Sequence, residues 1–376
     1  MIFAVLLLTC GATSVTAQVE LPQPVYQVSM SASYEPDNQQ IEGRKRIRWR
    51  NTSSVAIDDL QFHLYLNAFA NDRSTFMAGS GGQLRGVEIP KEGWGWVEVD
   101  SMRLAYGDEI MAAGSIDEEG AAPFGEPFGV VPPGEPGPIE LDDRPDLKQV
   151  EQYIRPDDGN PQDRTVARYP LQRPIEPGGW VELEIEFSAK LPRIFARTGA
   201  HGDFVLGGQW FPKIAVFEDT GDRGRAEPGW NAHQFHANSE FYADFGDWDV
   251  QLQLPTRYAG KIGATGRLLA EEIDGESVTT RFAQRGVHDF AWTASPDFVV
   301  VTDSFDPDAD VPPEQAAEIA DLLGLTADDI RLQPVEIILL LQPAHRSQAD
   351  RYIEAAKAAI RGYGLRLGAY PYETLT

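Results

Sequence analysis

Regular alternation of apolar and polar side chains is the feature that most constrains the fold of this 376-residue chain. In residues 25–34, tyrosine, valine, methionine and alanine occupy every second position, and serine or glutamine fills the positions between them. The same period of two returns in residues 41–49 and 180–187. Such a period puts alternate side chains on opposite faces of an extended backbone, so each segment is predicted to be a half-buried β-strand.

Further apolar segments complete the prediction of a mainly β fold class. Strands are predicted at residues 60–66, 250–254, 298–302 and 335–341, and proline or glycine interrupts most of the intervals between them. Short turns separate the first three strands, which end near residue 66. We therefore predict that these three strands form an antiparallel meander.

The outward faces of two predicted strands carry rows of opposite charge. Arginine occupies alternate positions along one strand and glutamate along the other: Arg44, Arg46, Arg48, Arg50, Glu182, Glu184 and Glu186. If the two strands are neighbours, cross-strand ion pairs contribute roughly 0.2–1 kcal/mol each. Two separately solvated faces are the alternative.

The first 17 residues are predicted to be a secretory signal peptide. They contain no charged side chain, and an apolar run at residues 2–8 precedes the small-residue sequence Val15-Thr16-Ala17. The run is too short to span a bilayer, so we predict an exported protein, periplasmic or extracellular, whose mature chain has no membrane span. A lipoprotein signal that uses Cys10 is the alternative. Cys10 is the only cysteine, so removal of the signal would leave no cysteine for a disulfide or a metal site.

The rest of the chain is divided into two predicted domains. Residues 18–333 are assigned to a large N-terminal β domain, and residues 114–160 form an acidic insert within it that is rich in proline and glycine. The nearly continuous apolar run at residues 335–341 predicts a strand buried on both faces. A helix is expected next, with Ser347 as its N-cap and the side chains of Tyr352, Ala355, Ala356, Ala359, Ile360 and Tyr363 on its packed face. Residues 334–376 are therefore predicted to begin an α-containing domain that this sequence does not complete.

The composition argues against nucleic acid as a partner, and few side chains indicate a catalytic or metal site. Thirty-two basic residues against 58 acidic ones give a formal net charge of −26, so nucleic-acid binding is not expected. The sequence contains no HExxH, GxSxG or phosphate-binding glycine loop. His233, His236 and Glu240 are zinc-ligand types at close spacing and give a weak local alternative for a metal site. A calcium site at Asp244, Asp247 and Asp249 is a second weak alternative.

Several ordered strings resemble the zinc aminopeptidase family typified by aminopeptidase N, particularly its bacterial exported branch. The strings run through most of residues 25–376 except the acidic insert, and they include residues 60–69 (LQFHLYLNAF), 208–213 (GQWFPK), 238–242 (NSEFY), 288–292 (HDFAW) and 368–372 (GAYPY). The resemblance implies a saddle-shaped antiparallel N-terminal β domain, followed by the first strand and helix of the catalytic domain. It also implies that zinc is bound by HExxH and a further glutamate, none of which is present here.

The resemblance also implies a function and one binding residue. The full-length protein is expected to be a zinc metallo-aminopeptidase that cleaves N-terminal residues from peptides, whereas this chain alone is expected to be inactive. Gln209 is the nearest candidate for a β-domain residue that binds the substrate amine, with a purely structural role as its alternative. A non-catalytic exported β-rich binding module is the second functional hypothesis. The sequence does not indicate an oligomeric state.

Overall fold

A computed structural model of the protein describes residues 21–84, 86–88, 93–112 and 144–376. The predicted signal peptide, with Cys10, and the part of the acidic insert up to residue 143 lie outside these ranges. Within them the chain forms 22 β-strands and five α-helices. The predicted mainly β fold class is confirmed.

The largest sheet has seven strands and contains most of the predicted alternating segments. In spatial order they are β17 (Arg267–Asp274), β18 (Ser277–Val287), β15 (Gly246–Pro255), β1 (Tyr26–Glu35), β2 (Gln40–Arg50), β9 (Trp180–Lys190) and β6 (Trp96–Tyr106). Every neighbouring pair is antiparallel except β1 and β15, which run parallel.

Two four-stranded sheets and two short hairpins complete the β body. One sheet has the order β10 (Gly199–His201), β11 (Phe204–Gly207), β19 (Trp292–Ala294), β16 (Ile262–Ala264), and the other has the order β12 (Lys213–Ile214), β3 (Ile57–His63), β8 (Val166–Ile175), β7 (Gln152–Tyr153). The hairpins are β4 (Gln83–Leu84) with β5 (Val87–Glu88), and β13 (Val216–Glu218) with β14 (Gly229–Asn231).

The last part of the chain adds a three-stranded sheet and most of the helical structure. Its strands are β20 (Val299–Phe305), β21 (Val335–Leu341) and β22 (Thr374–Leu375). The helices of the chain are α1 (Thr75–Ser80), α2 (Gly107–Ala112), α3 (Pro307–Asp310), α4 (Pro313–Leu323) and α5 (Ala349–Leu367). Among the helices of the described ranges, none is both long and apolar enough to cross a membrane.

The predicted meander of the first three strands is wrong. β1 and β2 form the expected hairpin, but β3 leaves this sheet and pairs with β8 and β12. The buried Asn51 side chain donates hydrogen bonds to the carbonyl oxygens of Val55 and Ile175, at 2.8 Å each, and so holds the turn that redirects the chain. The free edge of β2 is instead occupied by β9.

The predicted pairing of the arginine and glutamate rows is confirmed. β2 and β9 are antiparallel neighbours, with Arg46 opposite Glu184 and Arg48 opposite Glu182. Arg48 Nη2 lies 3.0 Å from Glu182 Oε2, and Arg44 forms an ion pair with Glu184. Both glutamates are less than 9% exposed, so the rows form a partly desolvated ladder rather than two solvated faces.

The hydrophobic core has one large cluster and a second cluster near the end of the chain. Trp210 and Phe211 belong to the large cluster. The second cluster contains Phe305 and Ile319 as well as Ile337 and Ile360. Elements that precede the predicted boundary at residue 334 therefore pack with those that follow it.

The terminal helix packs with only part of the predicted face: Ile360 is buried and Ala356 packs against the second cluster, whereas most of the other predicted residues are exposed. α5 begins at Ala349, with Gln348 rather than Ser347 at the N-cap position, and no side chain caps it. Its buried residues are Ala349, Ile353, Ile360, Gly364 and Leu365, while Tyr352 and Tyr363 are 40% and 68% exposed. Gly364 lies inside the helix, where a Cβ atom would come within 2.8 Å of Leu332. Close contact with the segment before β21 therefore selects the buried face.

The last third of the predicted acidic insert, residues 144–160, is packed against the β body. Leu147 is only 3% exposed, and the strand β7 pairs with β8. Asp157 and Asp158 make hydrogen bonds to Gln234, on a distant segment. Residues 144–160 thus differ from the surface loop that composition predicts, because apolar and hydrogen-bonding side chains are spaced among the acidic ones.

Gly43 provides a test of the central sheet. A Cβ atom at this position would overlap the ring of Phe187 on β9, whereas one at Gly362 in α5 would meet nothing within 4 Å. We expect Gly43→Ala to lower the free energy of unfolding by about 1–3 kcal/mol through overpacking. The control Gly362→Ala should raise it by about 0.5–1 kcal/mol, because alanine favours a helix. Urea denaturation of both variants measures the two effects, and equal stability would contradict this packing.

Candidate functional site

The strings that resemble the aminopeptidase family converge in space. Lys213 on β12 pairs with His63 on β3, which joins the string at residues 208–213 to that at residues 60–69. Trp210 Nε1 donates a hydrogen bond of 3.0 Å to the carbonyl oxygen of Phe290, within the string at residues 288–292. The rings of Tyr65 and Phe241 lie 4.9 Å apart, which brings in the string at residues 238–242.

A cluster of four polar side chains, three of them buried, lies where these strings meet; we call it the lysine cluster. It consists of Lys45, Gln209, Lys213 and Asp289. Lys213 Nζ lies 2.6 Å from Asp289 Oδ2, and the Gln209 amide nitrogen donates to the same oxygen. Gln209 Oε1 accepts from Lys213 Nζ at 3.4 Å. Gln209 and Lys213 are less than 9% exposed, so the carboxylate compensates a desolvated ammonium group.

Lys45 points from β2 into the same region and is 1% exposed. Its ammonium group donates to the carbonyl oxygen of Pro212 and lies 5.7 Å from the ring centroid of Phe62 and 5.1 Å from that of Phe211. Burial lowers the pKa of Lys45 to about 7; the charge of Lys213 acts in the same direction, and Asp289 opposes it. The interior thus holds one firmly paired lysine and one that changes charge near neutral pH.

The predicted binding residue Gln209 belongs to this cluster. Both ends of its amide are occupied, by Asp289 at the nitrogen and Lys213 at the oxygen. In this geometry Gln209 holds the Lys213–Asp289 pair in place. Recognition of a substrate amine by Gln209 stays a prediction.

A second polar site, which we call the histidine cavity, has a volume of about 340 Å³. It is lined by His63, Tyr65, Asp157, Arg223, Asn231, His233, Gln234, His236, Ser239, Glu240 and Tyr242. The three residues of the weak zinc hypothesis are therefore brought to one cavity, together with a third histidine from β3.

Asp157 links the two neighbouring histidines. Its Oδ1 lies 2.6 Å from His233 Nδ1, and its Oδ2 lies 3.0 Å from His236 Nε2. The backbone N–H of Gln234 donates to Oδ2 at 2.8 Å. Burial acts to raise the pKa of Asp157, but the hydrogen bonds from His233 and His236 hold it below its usual value. Asp157 is therefore the common acceptor of this segment.

Glu240 does not join the two histidines as a ligand. Both of its carboxylate oxygens accept from the guanidinium of Arg197, at 2.5 and 2.7 Å. In the described part of the chain, no group of three or more histidine, cysteine, aspartate or glutamate side chains is placed to hold a metal ion. These residues do not fit the proposed zinc, and no chemical step is assigned through it.

Two of the three aspartates of the weak calcium hypothesis also bond to protein groups. Asp249 lies 2.9 Å from Arg281 Nε on β18, and Asp247 accepts a 2.9 Å hydrogen bond from the backbone N–H of Gly286. Asp247 and Asp249 therefore bond to protein groups, and within the described ranges no group of three or more such side chains is placed to hold a metal ion.

The histidine cavity also lacks an activated serine. Ser239 Oγ donates to the backbone carbonyl oxygen of His236 at 2.9 Å, so the hydroxyl is bonded to backbone rather than to an imidazole. The arrangement can donate and accept hydrogen bonds and hold charge. Such chemistry suits ligand recognition better than nucleophilic catalysis.

A larger cavity of about 810 Å³, the apolar groove, lies between the sheet that contains β16 and β19 and the sheet that contains β21 and β22. Its apolar lining includes Phe204, Trp292, Phe298, Ile338, Leu339, Leu340, Leu341, Tyr352, Tyr370 and Tyr372. Of the described residues that line it, none is aspartate, glutamate, lysine or arginine. The groove is thus free of permanent charge in a strongly acidic protein.

The chain has limited similarity to known proteins. No protein-family model and no curated protein matches the sequence. A solved two-domain M1 zinc metallopeptidase bound to L-tryptophan is 10% identical, with a TM-score of 0.48 over 94% of this chain and 56% of that one. An M1 zinc metallopeptidase of Deinococcus radiodurans bound to a Tyr-Ser-Ala substrate is 11% identical, with a TM-score of 0.44 over 93% of this chain and 55% of that one. The chain thus spans a little over half the length of these structures, and no residue role is transferred from them.

Lys45 predicts a dependence of stability on pH. Because its pKa is depressed in the folded state, the unfolded chain binds a proton that the folded chain does not between about pH 7 and 10.5. The free energy of unfolding therefore rises with pH across this window. Lys45 destabilises the folded chain most below pH 7, where it is protonated in both states. We expect Lys45→Met to be more stable at pH 7 by about 1–4 kcal/mol, with a smaller gain at higher pH. Urea denaturation at several pH values, with Lys190→Met as control, measures this, and a gain independent of pH would contradict it.

The Lys213–Asp289 pair predicts a large loss of stability when the Asp289 carboxylate is neutralised. Asp289→Asn would leave Lys213 buried without a carboxylate, so the free energy of unfolding should fall by about 3–5 kcal/mol. The matched control is Glu373→Gln, which breaks the exposed 2.8 Å pair with Arg267 and should cost less than about 1 kcal/mol. Denaturation at neutral pH compares the two variants. Similar losses in both would mean that Lys213 is adequately solvated without Asp289.

Proposed function

We propose that this chain is the N-terminal part of an exported zinc-dependent metallopeptidase of the aminopeptidase type, which removes N-terminal residues from peptides. In this proposal the zinc ligands lie in another part of the protein. The described residues supply the β scaffold and the first strand and helix of the catalytic domain. The predicted signal peptide supports a periplasmic or extracellular location.

The observation that carries the proposal is the convergence of the family-like strings. Four strings that are far apart in sequence meet around the lysine cluster through the 63–213 strand pairing, the Trp210–Phe290 hydrogen bond and the Tyr65–Phe241 ring contact. Strings that resembled the family by chance would have no reason to be neighbours in space. Their contact supports a shared architecture.

The apolar groove gives a second line of support. The apolar strand at residues 335–341 is predicted to be buried on both faces at the start of an incomplete domain, but Ile338 to Leu341 are only half-buried along the groove. A large apolar surface without permanent charge is typical of the centre of an interface. In this proposal, the catalytic part of the same protein covers that surface.

Gln209 retains a proposed role within this function. To bind a substrate amine, its Oε1 would have to exchange Lys213 Nζ for the ammonium group of the peptide. The 3.4 Å separation from Lys213 is long for a hydrogen bond to a charged donor, so breaking this bond costs little free energy.

The alternative function is a non-catalytic exported binding module. The histidine cavity favours it, because residues of the β body alone form this polar concave site.

The product of the complete coding sequence tests the proposal. We expect HExxH and a downstream glutamate beyond Thr376, one zinc ion per protein by elemental analysis, and hydrolysis of alanyl or leucyl arylamides. Residues 21–376 alone serve as the control and should bind no stoichiometric zinc and hydrolyse neither substrate. A complete product with neither zinc nor hydrolysis would replace this proposal with the binding module.

A further inference from the structure

The histidine cavity gathers three of the six histidines of the chain. Each of its 11 described lining residues carries a polar or charged side chain. This composition contrasts with the apolar groove and is suited to a small, strongly hydrogen-bonding ligand. The volume of about 340 Å³ lies at the lower end of the range for small-molecule sites.

His63 is a buried group in the cavity wall, and its two ring nitrogens have no hydrogen-bond partner of normal geometry among the described residues. It is 2% exposed, and its ring stacks on that of Tyr65 at 4.5 Å with the planes 5° apart. The backbone of Asn231 approaches the ring, but neither ring nitrogen makes a hydrogen bond of normal geometry. Burial holds the pKa of His63 far below its usual value, near 3, so the imidazole is neutral and offers one donor and one acceptor. An unsatisfied buried polar group raises the free energy of the folded protein, and a ligand that bonds to His63 removes that cost.

Arg223 brings a positive charge to the same cavity. Its guanidinium lies 4.3 Å from the ring centroid of Tyr242, and among the described residues it forms no ion pair within 4.0 Å. Arg223 also has a left-handed backbone conformation, with φ of 49°, between Gly221 and Gly224. A side chain other than glycine adopts this conformation at a cost, and here it places the guanidinium at the cavity.

Asp157 brings the opposite charge. Its three described partners are His233, His236 and the backbone of Gln234, and its side chain is 20% exposed. An ionised carboxylate can accept about four hydrogen bonds, so one more donor can be accommodated. The cavity therefore has an acceptor of negative charge and an unpaired guanidinium in its wall.

We propose that the histidine cavity binds a small zwitterion of the amino-acid class. Arg223 binds its carboxylate, Asp157 accepts from its ammonium group, and His63 forms a hydrogen bond to its polar body. A ligand with both charges engages both Arg223 and Asp157, whereas a simple anion or a simple cation would engage only one of them. This proposal does not depend on the peptidase function, since the lysine cluster and the apolar groove take no part in it.

The test is isothermal titration of the protein with L-alanine, and with acetate and methylammonium as its two half-ligands. We expect saturable binding of L-alanine and binding of each half-ligand about tenfold weaker or more. Arg223→Gln and His63→Phe should each weaken alanine binding by about tenfold. The control Arg346→Gln, at an exposed position outside the cavity, should leave it unchanged.

Three results would overturn the proposal. Acetate binding as tightly as L-alanine would make the cavity an anion site, and absence of saturable alanine binding would mean that solvent satisfies His63. Unchanged affinity in Arg223→Gln would place the ligand elsewhere. Since Arg223 is exposed, this variant should fold normally, and near-ultraviolet circular dichroism verifies the fold of His63→Phe.

Discussion

The register between β2 and β9 is the constraint on which the rest of the structure depends. Antiparallel pairing sets the arginine row of β2 against the glutamates of β9, and a slip of one residue would turn every side chain of β2 to the opposite face. Because Arg44 and Arg46 point to the ladder, Lys45 between them must point into the core. The burial of Lys45 is therefore a consequence of the register that forms the ladder.

That inward lysine explains the polar character of the core nearby. Lys45 and Lys213 are both buried, and Asp289 is the carboxylate that bonds to Lys213 directly. Gln209 fixes the position of Asp289, while the aromatic rings of Phe62 and Phe211 surround the ammonium of Lys45. Four segments thus meet around two buried lysines and a single carboxylate. This local excess of positive charge contrasts with a protein that is otherwise strongly acidic.

Local patterns predicted local structure well, and contacts between distant segments less well. The strand at residues 335–341 has the predicted bounds, because a run of apolar β-branched and leucine residues decides its conformation locally. The sheet to which β3 belongs depended on the Asn51 turn and on β8, more than 100 residues later. The packed face of α5 depended on Leu332, and no local period could reveal that contact. Asp157 was missed because it lies 76 residues from His233, in a stretch whose composition predicts a solvated insert.

The parallel pairing of β1 with β15 has a consequence for the order in which the chain can fold. β1 and β2 are complete once residue 50 has been synthesised, whereas their outer neighbours in the sheet end at residues 190 and 255. During that interval the first hairpin has two open edges, and such edges readily pair with those of other chains. The arginines of β2 give every nascent hairpin the same row of positive charge, so two hairpins repel one another until the glutamates of β9 arrive. We therefore expect the arginine row, which pairs with β9 in the mature sheet, to disfavour association of unfinished hairpins.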